Sequence, residues 1–360
     1  MASASVSKSR DEYTVCWVTA LPLELAAATA MLDEEHDTPH DFGQPTTDTN
    51  NYTWGRVGDH HVVMASLPAG VYGTTSAATT ALSLLSSFPR VRVGLMVGIG
   101  AGIARPEAGY DIRLGDIVVS QPSGQSGGVV QYDLGKAKGP RHFERAGSLN
   151  KPPEVLLNAL SKLIAQHERR PSNVPHFLEK MLEDNPYMAT PQDGRPGYAY
   201  QGEKNDRLFQ ANYKHAGGPN CDRCDTQKEI NRDPRISSAP RIHYGIIASG
   251  NTLVKSGPTR DSIVRGLGDD CICFEMEAAG LMNSFPCLVI RGICDYADSH
   301  KNDRWQRYAA STAAAYAKEI LSVVPKASVM GTSLLTDQMT DAAKQRLILK
   351  ALKFEGMDMR

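Results

Sequence analysis

Two predominantly apolar runs, Val91–Val97 and Cys287–Cys294, restrict the fold of this 360-residue chain more than any other feature of its sequence. Strands that are apolar along their whole length are buried on both faces, as in a parallel sheet covered by helices. Strands and helices alternate along the chain, which predicts an α/β fold with helices on both faces of a mostly parallel sheet. Further strands are predicted at Tyr13–Ala20, Tyr52–Leu67 (as a pair), Ile112–Ser120, Ile242–Ser249 and Cys271–Phe274, and helices at Leu21–Leu32, Thr74–Leu85, Glu154–His167, Glu277–Asn283 and Trp305–Val324.

The domain organisation follows from where this regularity stops. Residues 1–12 are mostly polar and small, which predicts a disordered leader, and residues 13–325 are predicted to form the main domain. Within that domain, residues 121–241 are rich in Gly, Pro, Asn and charge, which predicts a loop-rich insertion. Residues 326–360 are predicted to be a linker and a short charged helix that the main domain does not need.

Charge and composition narrow the classes of partner. The formal net charge of −1 gives no overall attraction to nucleic acid or to a membrane surface, so a local cluster must hold any anionic ligand. No apolar run approaches the ~20 residues of a membrane span, and the first residues do not resemble a signal peptide. Seven cysteines, an odd number, indicate reduced thiols. We therefore expect a soluble cytoplasmic protein whose ligand is a small molecule.

Four acidic residues follow predicted strands, at the edge of the sheet where ligands of open α/β folds collect. Glu24 follows the first strand, Glu275 and Glu277 follow Cys271–Phe274, and Asp295 follows the last strand. Any one of them is explained by the preference for acids in the first turn of a helix. Four at equivalent strand ends of one sheet instead predict an active site. Asp295 is the strongest candidate because it directly follows an apolar strand.

The glycine-rich segment Gly98–Gly102 resembles a dinucleotide-binding loop only superficially. Its spacing is G-x-G-x-G, and Arg105 and Pro106 follow where that motif requires an apolar helix. Glycine also permits close approach of the backbone to another group. We therefore predict contact with a ribose or a base.

Two further clusters of residues give weaker evidence for a binding site. Cys221 and Cys224, with His215 upstream, could supply three zinc ligands, but a single C-x-x-C pair is more often a loop with two free thiols. No metal and no cofactor are therefore expected. A group of basic residues near one strand end is either a solvated surface or a site for an anion such as a 5′-phosphate: Arg113, Lys136, Lys138, Arg141 and Arg145.

Five short segments recur in a fixed order along the chain: Thr19–Glu24, Gly98–Gly102, Leu114–Val119, Phe274–Ala279 and Arg291–Asp298. Together they resemble the nucleoside phosphorylase superfamily, and in particular its methylthioadenosine/adenosylhomocysteine nucleosidase branch. The resemblance covers roughly Tyr13–Val324 apart from the insertion, and it implies a three-layer α/β/α sandwich with a mixed, mostly parallel central sheet. The chain as a whole is similar to the amino-terminal phosphorylase-like domain of fungal NLR-type proteins.

The resemblance implies roles for the acidic residues. Cleavage of an N-glycosidic bond produces an oxocarbenium-like ribosyl group and an anionic base, so it needs an acid, a grip on the sugar and a positioned nucleophile. Asp295 would act on the purine N7, and Glu24 would orient and deprotonate the attacking water. Glu277 would bind the 2′ and 3′ hydroxyls, with Met276 against the sugar and Glu275 in support.

The same resemblance places the base pocket at Ser249–Val254. The Val254 backbone would read the purine edge and Leu253 would cover its face, where many nucleosidases have an aromatic residue. Further contacts with the substrate are implied for Gly100, Ala101 and Asn251.

Three positions favour hydrolysis over phosphorolysis. The phosphorylases that this chain resembles bind phosphate with two arginines and a serine, whereas this chain has Glu24, Met96 and Ile99 at those positions. A carboxylate and two apolar side chains cannot hold a phosphate dianion without a cost of several kcal/mol. They can hold a water molecule.

Three functions remain open at this point. The first is a purine nucleosidase that releases free base, with adenine expected and a homodimer as the assembly. The second is a phosphorylase with unrecognised phosphate ligands, and the third is a catalytically vestigial nucleoside-sensing module of a signalling protein. An active domain used as an immune effector would combine the first and third, because some phosphorylase-like domains of immune proteins cleave ATP to adenine and ribose triphosphate.

Overall fold

The computed structural model describes residues 7–139, 142–268, 270–339, 341 and 344–345. The strands are β1 (Val15–Thr19), β2 (Glu34–His36), β3 (Tyr52–Val57), β4 (His60–Ser66), β5 (Val93–Gly102), β6 (Ile117–Ser120), β7 (Val129–Gln131), β8 (Gly135–Gly139), β9 (His142–Arg145), β10 (Ile242–Ser249), β11 (Cys271–Glu275) and β12 (Cys287–Asp295). The helices are α1 (Pro22–Thr29), α2 (Thr74–Ser87), α3 (Glu154–His167), α4 (Val174–Asp184), α5 (Pro186–Ala189), α6 (Gly257–Gly266), α7 (Ala278–Leu281), α8 (Gln306–Val323) and α9 (Lys326–Gly331).

The central sheet is mixed and mostly parallel, as expected. Its strand order is β11-β10-β6-β12-β5-β1-β4-β3-β2, with β7 paired to β10. The pairs β1–β4, β1–β5, β5–β12, β6–β10 and β10–β11 are parallel, whereas β12–β6 and the β2–β3–β4 edge are antiparallel. At its carboxyl end β5 also pairs with β11, through Ala101 and Gly102. The sheet therefore curls at this end and brings β5, β11 and β12 around one space.

Helices cover both faces of the sheet. Helix α8 packs on β5 and β12 and also contacts α1, α3 and α4, and this side has its own apolar core. Helices α2 and α7 pack together on the opposite face, over a second core. A side chain at Gly292 would collide with the backbone of Ala309 in α8, so glycine is required for this close packing. The three-layer α/β/α architecture is confirmed.

The cysteines all lie within the described residues, and none of the seven forms a disulfide. The five in β1, β11 and β12 are buried in the sheet. Over the ranges that the structure describes, no helix is long and apolar enough to cross a membrane.

Residues 9–12, at the end of the predicted leader, contact the main domain. The Ser9 hydroxyl donates a hydrogen bond to Asp41 Oδ2 at 2.7 Å, and the Arg10 N–H donates to Asp41 Oδ1 at 2.7 Å. Ser9 also caps a turn of 3-10 helix at Arg10–Glu12. Residues 1–6 of the predicted leader lie outside the described residues.

The predicted insertion and linker are both more integrated than their composition indicates. Helices α3 and α4 contribute buried side chains such as Leu160 and Met181 to the core under α8. Past the main domain, the linker forms α9 and a turn of 3-10 helix in which Val329 and Leu335 are buried. The Leu335 N–H donates to Val91 O at 2.8 Å, so this segment packs on the domain that was predicted not to need it. Most of the predicted charged terminal helix lies outside the described residues.

Candidate active site

A cavity of about 230 Å³ at the carboxyl ends of the strands brings together the four acidic residues singled out in the sequence. It also includes five other residues that were expected to touch substrate, from three separate segments. The acids are Glu24, Glu275, Glu277 and Asp295, and the other five are Gly100, Ala101, Leu253, Val254 and Met276.

Glu24 is held rigidly at the start of α1. Its Oε2 accepts hydrogen bonds from the N–H groups of Ala20 at 2.7 Å and Leu21 at 2.9 Å, and its Oε1 accepts one from Ile99 at 2.7 Å. These bonds use both lone pairs of Oε2 and leave one on Oε1. Glu24 is therefore oriented by the backbone, with one acceptor position free for a water molecule.

The glycines of β5 allow side chains to pass close to the strand. A Cβ at Gly98 would lie 2.6 Å from Arg291 Nη1 and closer still to Glu24 Oε1. A Cβ at Gly100 would lie 3.0 Å from the Phe274 carbonyl. The segment continues as strand rather than turning into a helix, which agrees with rejecting a dinucleotide loop. At Gly98 the groups that approach the strand are the side chains of Glu24 and Arg291.

Arg291, which the sequence analysis did not identify as functional, links the acidic residues. It lies in the middle of β12 and its side chain is about 1% exposed. Its Nη2 donates to Glu275 Oε2 and lies 3.3 Å from Glu277 Oε2, while Nη1 donates to the Ile99 carbonyl at 3.3 Å. Glu275 in turn accepts the N–H groups of Glu277 and Ala278 at 3.0 Å. The Glu275 carboxylate is therefore used to orient Arg291 and the backbone before α7.

Burial raises the pKa values of Glu24 and Glu277. Burial raises the pKa of Glu277 to about 7, an effect that Arg291 opposes and the neighbouring Glu275 and Glu24 strengthen. Burial likewise raises the pKa of Glu24, against Arg291 and three backbone N–H groups. A carboxylate with a raised pKa is a stronger base, which suits proton abstraction near neutral pH.

Asp295 has a cationic neighbour that the sequence analysis also missed. The Lys301 ammonium contacts Oδ2, which accepts the Cys294 thiol at 3.2 Å, and the Ala297 N–H donates to Oδ1 at 2.9 Å. Burial lowers the pKa of Lys301, but Cys294 and Asp295 outweigh it and hold that pKa above its usual value. Ala297 has φ of 53°, a left-handed conformation that costs energy in a residue other than glycine. This local strain turns the Ala297 N–H toward the carboxylate.

Aromatic side chains reach the cavity from positions other than the one occupied by Leu253. Phe274 lies in its wall and meets Tyr132 edge to face, with ring centroids 5.4 Å apart. Tyr72, from the loop before α2, also lines the cavity and is 54% exposed. Apolar and aromatic walls suit a purine ring.

Several residues predicted to bind substrate lie elsewhere. Asn251 is outside the cavity lining, because its Oδ1 accepts the N–H and hydroxyl of Thr74 at 3.0 Å. Arg113 is buried against Asp111 and donates to the Asp233 carbonyl at 2.5 Å. Arg145 is exposed and acts electrostatically on Cys271, at the opposite end of β11 from the cavity. Arg141 lies outside the described residues. Of the predicted basic residues that the structure describes, Arg113 and Arg145 do not line this cavity.

A different set of basic residues adjoins the cavity. A groove shares Lys301 and Gln306 with it and contains a single acidic residue, Asp303, among the residues that line it in the described part of the chain. Sequence reasoning did not find this set because its members come from four distant segments. The basic residues of the groove are Arg195, Lys255, Lys301, Arg304 and Arg307, with His215.

Solved structures similar to this one are N-glycosyl hydrolases of nucleosides. The 5′-methylthioadenosine/S-adenosylhomocysteine nucleosidase of Neisseria meningitidis, in complex with methylthio-immucillin-A, matches with a TM-score of 0.52 and 14% identity over 86% of this chain and 98% of its own. The futalosine hydrolase of Helicobacter pylori matches with a TM-score of 0.52 and 17% identity over 87% of this chain and 99% of its own. The chain therefore has the nucleoside phosphorylase/hydrolase fold.

A curated relative of this chain is an NLR-like protein. A nucleotide-binding leucine-rich repeat (NLR)-like protein of Hyaloscypha variabilis is 44% identical over 318 residues, which are 88% of this chain. The matched region spans 30% of that protein's length. No profile of a known protein family matches the chain. The resemblance to both the nucleosidases and the fungal NLR-type proteins is confirmed.

Proposed function

We propose that this chain is a purine N-ribosyl hydrolase that releases the free base, with adenine as the expected base. The observation that supports this most strongly is the convergence of Glu24, Glu277 and Asp295 in one cavity, each less than a tenth exposed. One base, one sugar ligand and one acid are the groups that cleavage of an N-glycosidic bond requires.

The chemistry follows from the free positions on these carboxylates. A water bound at Glu24 Oε1 gives a proton to Glu24 while its oxygen attacks C1′ of the ribose. The C1′–N9 bond breaks, its electrons go to the purine, and N7 takes a proton from Asp295. The Lys301 ammonium then stabilises the carboxylate that remains. Glu277 holds the ribose hydroxyls, and those bonds strengthen as positive charge develops on the sugar.

Water is a better nucleophile for this cavity than phosphate. Among the lining residues in the described part of the chain, Lys301 is the one cation, and it is paired with Asp295. Arg291 lies behind the wall and is paired with Glu275 and Glu277. Glu24 would repel phosphate when ionised. Within the cavity lining that the structure describes, a phosphate dianion beside C1′ would therefore meet no cation that lacks an acidic partner.

The adjoining groove favours a nucleotide over a nucleoside as substrate. Arg195, Lys255 and Arg304 line it, and acidic side chains are nearly absent there. Phosphates are the ligands that such arginines recognise. We therefore include ATP in the proposed substrate range, and with it a role as the effector domain of an NLR-like protein. A cytoplasmic location and a homodimer remain part of this proposal.

The proposal is tested by product analysis. The purified chain is incubated with adenosine, inosine, guanosine, methylthioadenosine, AMP and ATP, with and without inorganic phosphate, and the products are separated by chromatography. We expect free base and a ribose product without a 1-phosphate, at a rate that does not need phosphate. Asp295→Asn should be inactive, while the control Asp37→Asn, at an exposed residue that lines neither the cavity nor the groove, should be active. Binding without turnover would instead favour a vestigial sensing module, and ribose 1-phosphate would favour a phosphorylase.

A further inference from the structure

The insertion contains a second cluster of reactive side chains, made by residues outside the nucleoside cavity. A ring nitrogen of His215 and the sulfurs of Cys221 and Cys224 all lie within 4.8 Å of one another. Cys224 is buried, Cys221 and His215 are half-buried, and the two thiols are not joined by a disulfide. We propose that these three side chains bind one zinc ion.

The spacing of the three groups suits tetrahedral coordination. With Zn–S bonds of about 2.3 Å and Zn–N bonds of about 2.0 Å, the ligand atoms of a tetrahedral site are about 3.5–3.8 Å apart. The three ligand atoms are separated by at most 4.8 Å, and small side-chain rotations would bring them into that range. Water completes the fourth position, because Cys221 lines an open cavity of about 430 Å³.

The two cysteines lie in a turn that the rest of the insertion holds in place. The Cys224 N–H donates to the Cys221 carbonyl at 2.9 Å. The Arg207 guanidinium donates to the carbonyls of both cysteines and is paired with Glu229. The turn is therefore oriented by its backbone rather than by the two thiols, which interact with each other.

The histidine comes from outside the C-x-x-C pair and is oriented separately. The His215 N–H donates to the Ser299 hydroxyl at 3.0 Å, and the ring Nε2 lies 2.9 Å from the Asn220 carbonyl. A carbonyl partner requires a proton on Nε2, so Nδ1 carries the lone pair that a metal needs. At present Nδ1 accepts the Gly217 N–H at 3.1 Å, which the metal would replace.

The choice of metal follows from the ligand types. Two thiolates and an imidazole select zinc over magnesium or calcium, which prefer oxygen ligands. A loop that merely carried two free thiols would not need a histidine six residues earlier to converge on them. The bordering cavity is also lined by Asp295 and Lys301. The ion would therefore fix residues 215–224 as a wall beside the active site.

Metal content of the full chain tests this proposal without reference to catalysis. The chain is produced with zinc in the medium, dialysed against metal-free buffer and analysed by mass spectrometry for zinc. We expect one ion per chain, and about a tenth of that or less in Cys221→Ser and Cys224→Ser. The control Arg223→Ala changes an exposed residue between the two cysteines and should keep the full content.

A second measurement on the unmodified chain covers the case in which the serine variants misfold. Bound zinc should protect Cys221 and Cys224 from alkylation, and a chelator should expose both, as read by peptide mass spectrometry. Zinc well below one ion per chain in the unmodified protein, equal alkylation with and without zinc, or full zinc content in both serine variants would each overturn the proposal.

Discussion

The ammonium group of Lys301 contacts Oδ2 of Asp295, the carboxylate that the proposed reaction needs as an acid. In the proposed reaction Asp295 gives a proton to N7 of the purine, and the ammonium then stabilises the carboxylate that remains. Lys301 is therefore the electrostatic partner of Asp295, from a position six residues away in the chain.

Replacing Lys301 by methionine should lower kcat. Without the ammonium, the carboxylate left on Asp295 after proton transfer loses its ion-pair partner, so the rate should fall by roughly 10–10²-fold. The measurement is kcat with adenosine as substrate. Lys326→Met removes an exposed lysine on α9 and should leave kcat unchanged. An unchanged kcat in Lys301→Met would show that the contact has no role in the reaction.

Glu24→Gln should lower kcat by ~10²–10⁴, because an amide cannot accept the proton of the attacking water. KM should change less, since the cavity keeps its shape. Glu34→Gln, on the exposed edge strand β2, is the matched control and should retain full activity. Steady-state kinetics with adenosine measures both constants. Activity in Glu24→Gln that approaches the unmodified rate, or that rises with added phosphate, would contradict the role of Glu24 as base.

Gly98→Ala should abolish most activity through one added methyl group. The new Cβ would collide with Glu24 Oε1 and with Arg291 Nη1, so both side chains must move. Gly43→Ala is the matched control, because a Cβ there meets no atom within 4 Å. Thermal unfolding and kcat are measured for both variants. A Gly98→Ala enzyme with normal kcat would show that the placement of Glu24 does not limit the rate.

Glu277→Gln should become relatively more stable as the pH rises. Burial raises the pKa of Glu277 to about 7 in the folded protein, whereas its ordinary value is 4.5. Below pH 4.5 the carboxyl group is protonated in both the folded and the unfolded chain, so it does not change the free energy of unfolding there. As the pH rises from about 4.5 to about 7, the unfolded chain loses this proton while the folded chain keeps it, so the folded state is destabilised by an amount that reaches about 3 kcal/mol and stays constant at higher pH. Glutamine has no such penalty. The free energy of unfolding of both proteins, measured by denaturant from pH 4.5 to 8, should therefore shift in favour of the variant.

A constant stability difference across that range would contradict the raised pKa of Glu277. The comparison depends only on how the difference changes with pH. Glu277→Gln also leaves Arg291 with one acidic partner fewer. A loss of stability that is the same at every pH does not affect this comparison.

Arg304→Ala should impair cleavage of ATP more than cleavage of adenosine, by a KM effect of about tenfold for one lost phosphate contact. Arg304 lines the groove beside the cavity, whereas Arg145 is exposed and remote. Arg145→Ala is therefore the control and should affect neither substrate. Equal effects of Arg304→Ala on ATP and adenosine would remove the groove from substrate binding.

The fold could be predicted from the sequence because its signals are local. Apolar strands such as Val91–Val97, the spacing of helices between them and the order of short motifs each lie within a few residues. The helix predicted at Glu154–His167 and the strand predicted at Ile242–Ser249 are both found with those bounds. The prediction of a linker after residue 325 relied on composition, which does not reveal whether a segment is buried by contacts far away in the chain.

The sequence by itself determined the α/β architecture and the acids at its strand ends, because the carboxyl ends of parallel strands meet at one edge of the sheet. Only the tertiary structure decided what surrounds those acids. Arg291 is a single cation in an apolar strand and has no local signature until Glu275 and Glu277 are seen beside it. The same holds for Lys301 against Asp295. Two charged side chains interact when they lie close together in space, and the packing of the strands and helices determines that distance.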